Sequence, residues 1–129
     1  MHDSSFLRRS LQIDGVASGL CGVLLLAGAG PLSSLMGLAG PGIARTVGAL
    51  FVVYAAALLR NGARATVSRG GAVAAVVLNA VWVAGSAVVI LDGPLTPLGN
   101  LAVAAVAVAV LLFAILEAVG LARLRQAVR

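Results

Sequence analysis

Two acidic residues stand inside long apolar runs: Asp14 in "LQIDGVASGLCGVLLLAG" and Glu117 in "NLAVAAVAVAVLLFAILEAVG". A carboxylate is costly in such surroundings, so its presence points to proton exchange, cation binding or an ion pair with a nearby arginine. Tyr54 in "RTVGALFVVYAAALLR" and Asn79 in "AVAAVVLNAVWVAGSAVVIL" are polar residues well inside two further apolar runs. Asp14, Tyr54, Asn79 and Glu117 therefore form the candidate intramembrane polar cluster.

Other chemistries lack their residues. The only histidine is His2 and the only cysteine Cys21, so an intrachain disulfide is excluded and a metal, haem or iron–sulfur site within one chain is not expected. There is no Ser/His/Asp set and no phosphate loop following a strand. Neither an enzyme nor a resident cofactor is expected.

These residues need apolar elements to carry them. Of the 129 residues, 61% are hydrophobic and 10% charged, with a mean hydropathy of +1.12. Soluble domains are about half apolar and about a quarter charged. The composition predicts an all-α integral membrane protein, a single transmembrane domain over residues 1–129. A bilayer core of about 30 Å needs roughly 20 apolar residues in a helix. Four runs meet that length, at 11–29, 43–59, 72–91 and 98–120, and predict a four-helix bundle.

The connections agree with that division. "RNGARATVSRGG" carries helix-ending Asn-Gly and Gly-Gly pairs, and "DGPLTP" is a tight turn without a base. In "PLSSLMGLAGPG", Pro31 at a helix start with Leu32, Leu35 and Met36 on one side suggests a short interfacial helix between the first two spans. An irregular loop is the competing reading. "LRRSLQI" and "LAGAG" have the flavour of a cleaved signal, but three further spans favour an uncleaved first helix.

All nine basic residues are arginine, against four acids. They flank the apolar runs and do not form a stripe interleaved with aromatics, so membrane topology and not nucleic-acid binding is expected. Arg8, Arg9, Arg60, Arg64, Arg69, Arg123, Arg125 and Arg129 fall on one side of the spans, and Arg45 alone on the other. The positive-inside rule then predicts a multi-pass protein of a bacterial inner membrane with both termini in the cytoplasm.

This topology brings all four polar residues to the arginine-rich half. With about 1.5 Å of rise per residue, Asp14 and Glu117 are expected about 5 Å deep, Tyr54 about 9 Å and Asn79 about 10 Å. At that depth Arg9, Arg60 and Arg123 are within snorkelling reach. Pairing with Arg123 is the expectation for Glu117, and Asp14 is left as the proton or ligand group. Asp14, Ser18 and Cys21 share one helical side. Ala72, Ala75, Asn79, Trp82 and Ser86, spaced 3, 4, 3 and 4, form a seam. Gly15, Gly19 and Gly22 make a small-residue strip of the kind that lets helices approach closely. Phe51 and Trp82 read as core or lipid-facing filler.

Two functional readings follow. The first is a binding, accessory or structural subunit for a lipid, a quinone-like molecule or a membrane partner, which includes a second copy of the chain. In link lengths, short outer segment and the second span, the layout resembles small bacterial four-span proteins of the DoxX-like kind. The alternative is a minimal proton-coupled small-molecule transporter. In size, helix number and a carboxylate in the first helix, the chain is similar to small multidrug-resistance exporters. That resemblance implies an acid exchanging protons for cationic molecules. The shallow position expected for Asp14, the low aromatic content of 4% and the one-sided arginines depart from the exporter pattern.

Overall fold

The computed structural model describes residues 2–128, with side chains placed for 4–125. The chain folds into α1 (His2–Ala27), α2 (Ala29–Met36), α3 (Gly42–Ala63), α4 (Arg69–Asp92) and α5 (Pro97–Val128), with no strand among the described residues. Four of these helices, over Ser4–Ala27, Gly42–Ala63, Arg69–Asp92 and Pro97–Arg125, are long and apolar enough to cross a membrane. Their outward faces carry exposed Leu20, Leu24, Val53, Val81 and Leu101. That is how a helix facing lipid reads, since burying such a face is unnecessary there.

Two helices extend well beyond the apolar runs that predict them. α1 begins well before Leu11, because Arg8 does not end it. The Arg8 guanidinium donates to the carbonyl oxygens of Gly62, Arg64 (2.6 Å) and Ala65 (3.3 Å), so the charge is used where α3 ends. Leu7 and Leu11, on the same side of α1, are completely buried. α5 likewise continues past Gly120, which packs against the Leu7 backbone.

The short helix between the first two spans forms, starting at Ala29 and not at Pro31. Pro31 lacks an N–H, and its ring crowds the carbonyl four residues back, at Ala27. The chain responds at Gly28, whose φ of −106° and ψ of 23° leave helical values and separate α1 from α2. Gly37, at φ 84°, then closes α2 in the left-handed conformation that glycine adopts without penalty.

α1 is the central helix. It packs on α3 and on α5, α4 packs on α5, and α3 touches α4 little beyond their connecting turn. The α1–α3 contact is close enough to bring backbones together. A Cβ added to Gly22 would lie 2.7 Å from the Gly48 carbonyl oxygen, and one at Gly15 would lie 2.8 Å from Leu59. Gly19 is looser, with Ala55 at 3.4 Å. The apolar core sits at the arginine-rich end, where Leu7, Leu11, Leu58, Val67, Ala72 and Ala75 pack with Tyr54, Leu121 and Leu124. At the opposite end, the Thr96 N–H and hydroxyl donate to the Met36 (3.0 Å) and Leu35 (2.7 Å) carbonyls and tie α5 to α2.

Candidate functional site

Asp14, Tyr54, Asn79 and Glu117 meet in one hydrogen-bonded cluster, each supplied by a different helix. The periodicity explains the convergence on α4, where Ala72, Ala75, Asn79 and Ser86 are the buried residues and Trp82 lies between them, half-buried. Asn79 is the hub. Its Nδ2 donates to Asp14 Oδ2 (3.1 Å) and to Glu117 Oε1 (2.9 Å), and its Oδ1 accepts from the Tyr54 hydroxyl (2.8 Å). Its hydrogen-bonding capacity is nearly exhausted by these three contacts.

The Tyr54 oxygen also lies 3.3 Å from Asp14 Oδ2 and 3.4 Å from the Ala75 carbonyl. Ser18, one turn along α1, donates to Asp14 Oδ1 at 3.0 Å. Asp14 is 1% exposed and Glu117 fully enclosed, so both carboxyl groups are shielded inside the bundle. Both carboxyl groups accept from the same Asn79 Nδ2, which places them side by side, and Glu117 Oε2 has no hydrogen-bond partner among the described residues.

The expected ion pair of Glu117 with Arg123 does not form. Six residues along a helix is a rotation of about 120° away from the starting face. Arg123 therefore turns outward and its guanidinium stacks 4.4 Å over the Phe6 ring. Arg9 and Arg60 do not reach Asp14 either, and among the described residues no arginine contacts either carboxyl group. Along the helices, Asp14 lies ten residues after Ser4, where the apolar helix Ser4–Ala27 starts, and Glu117 eight residues before Arg125.

Further residues shape the site. Phe51 and Trp82, one turn from Tyr54 and Asn79, face each other with ring centroids 4.7 Å apart at 55°. They bridge α3 and α4 as packing residues, the core half of the reading expected for them. The sequence reading overlooked Asn61, whose carboxamide accepts from the Ser68 N–H (2.7 Å) and donates to the Ser68 carbonyl (3.1 Å). Its position before Gly62 read as a helix stop, and the seven-residue spacing to Ser68 was the available signal. Of the topology-setting arginines, Arg8, Arg64 and Arg123 meet at the end where α1 starts, α3 turns into α4 and α5 finishes. Arg129 lies outside the described residues.

The fold defines the class of the molecule, a multi-pass helical membrane protein with a buried acidic core. No family model matches the chain, and neither a curated protein nor a solved structure does.

Proposed function

We propose that the chain is a small proton-coupled membrane transporter whose Asp14–Glu117 pair holds one proton and exchanges it for a cationic small molecule. The observation that carries this reading is the enclosure of two carboxyl groups held by one Asn79 amide, with no arginine beside them among the described residues. Two negative charges so placed would repel each other and lose their hydration together. A single shared proton turns the contact into a hydrogen bond and leaves one negative charge, held by Asn79, Tyr54 and Ser18. A cation entering the site takes over the proton's role, and the proton departs. Because each of the four groups sits on a separate helix, exchanging proton for cation changes what holds the helices together. Little backbone packing joins α3 to α4, so opening is easiest along that seam.

The arginine split supports both termini facing the cytoplasm of a bacterial inner membrane. A reporter active only outside the cytoplasm, fused after Arg129, should be silent.

A second reading, an accessory subunit, is favoured by the closure of the site. Neither the cleft lined by Arg60 and Arg64 nor the shallow one over Ile13 and Val16 includes any of the four polar residues. Proteoliposomes loaded with a pH-sensitive dye distinguish the two. Among a panel of small organic cations, at least one should drive proton movement that Asp14→Asn abolishes. A flat dye signal for every cation, with one membrane protein co-purifying after gentle solubilisation, would favour the accessory role.

A further inference from the structure

The weak packing of α3 on α4 leaves a cleft of about 390 Å³ at the arginine-rich end. Arg60 from the last turn of α3 and Arg64 just after it line one wall, Ser68 and Gly71 at the start of α4 the other. Ala56 and Ala57 continue it along α3 toward the middle of the span with an apolar lining. We propose that this cleft binds an anionic phospholipid, with the phosphate on the two guanidinium groups and an acyl chain along Ala56 and Ala57. This site is separate from the carboxyl cluster and does not depend on what the cluster does.

Three observations converge on that occupant. The first is the free donor capacity. Arg8, which faces the same turn, is used by three carbonyl groups, whereas Arg60 has no partner among the described residues. Arg64 makes one long contact, from Nε to the Thr66 carbonyl at 3.4 Å. A guanidinium presents a planar fork of donors that matches a phosphate. The second is that the cleft is built before anything enters it. Asn61 brackets Ser68, the Ser68 hydroxyl accepts from the Gly71 N–H at 3.1 Å, and Arg8 holds the turn's carbonyls from α1. The third is where the cleft opens. It lies between two helices long enough to span a membrane, with its charges at their ends and its small apolar residues toward their middles. A free phosphate would match the charged end alone. A phospholipid matches both, and basic pockets between helices at the charged membrane face are the general form of such sites.

The test is native mass spectrometry with thermal melting of the detergent-solubilised protein, given phosphatidylglycerol, phosphatidylcholine or inorganic phosphate. Phosphatidylglycerol should stay bound and raise the melting temperature, and the other two should not. Arg60→Gln should weaken retention by about fivefold and the Arg60→Gln/Arg64→Gln pair by more. Arg60→Lys should keep part of the affinity, and Arg45→Gln at the opposite end should change nothing. Because the Arg60 side chain has no partner among the described residues, Arg60→Gln leaves every bond of the turn intact, and adding Arg64→Gln removes only the long contact to the Thr66 carbonyl. Equal retention of the two lipids would overturn the proposal, as would equal losses from Arg45→Gln and Arg60→Gln. Stabilisation by inorganic phosphate as large as that by phosphatidylglycerol would show an anion site with no lipid specificity, which also overturns it.

Discussion

Between α1 and α3 the backbones approach each other directly, whereas α3 and α4 are joined chiefly by long side chains and their connecting turn. Gly22 and Gly48 sit face to face in the first interface, each too close to the other's carbonyl to accept a Cβ without a shift. In the second, Tyr54 reaches across to Asn79 and Phe51 to Trp82. Backbone contact of the first kind has no flexible part that can yield, because interiors are packed to near crystal density. Side-chain bridges can break and re-form by rotation about single bonds, at about 1 kcal/mol for a hydrogen bond or an aromatic contact. The molecule thus has a rigid pair, α1–α3, and a seam that can separate, α3–α4. The carboxyl groups are on α1 and α5, and the groups that cover them from the seam side are on α3 and α4.

The largest effect should come from attacking the rigid pair. Gly22→Leu places side-chain atoms against the Gly48 carbonyl, Val52 and Phe51, contacts of 2.7 to 3.0 Å for the Cβ alone. A loss of about 3 kcal/mol is expected, the upper end for overpacking, read as a lowered melting temperature in detergent. Gly30→Leu, with nothing within 4 Å of its added Cβ, should melt like the wild type and serves as the control. If both variants melt alike, the close α1–α3 approach is absent in solution.

Removing the hub of the cluster should come next. Asn79→Leu withdraws the donor shared by Asp14 and Glu117 and should cost about 2 kcal/mol, the range for stranding buried polar groups. Tyr54→Phe deletes one hydroxyl from the seam and should cost about 1 kcal/mol while making the cluster easier to reach. The second effect is measurable as faster amide hydrogen exchange in α4 near Asn79, with α1 unchanged. Uniform acceleration in both helices would contradict the division into a rigid pair and a seam.

Much of this was legible in the residues. The apolar runs located four helices, and the Ala72, Ala75, Asn79, Trp82 and Ser86 spacing marked the inward face of α4. The four polar residues were recognisable as a group because each is the exception in its run. The start of α1 was not legible, since arginines beside an apolar run read as its boundary. Arg8 stays within the helix because the end of α3 and the turn after it supply three carbonyl groups more than fifty positions away, a partner no local pattern reveals. The Glu117–Arg123 pairing failed for the converse reason. Sequence proximity suggested it, and helical rotation together with the Phe6 ring directed the guanidinium elsewhere. The glycine strip signalled a close approach but not its counterpart, Gly48 on α3.

The central claim is that Asp14 and Glu117 share one proton and are not neutralised by arginine. The most direct measurement is infrared spectroscopy of the protein in lipid at neutral pH, following the carbonyl stretch of a protonated carboxyl group. The wild type should show that band, and Glu117→Gln, which supplies a neutral hydrogen-bonding amide in its place, should lose it while remaining folded. Should the wild type lack the band, with both groups ionised and Glu117→Gln severely destabilised, the pair would be a charged structural element and the proton-exchange account would be wrong.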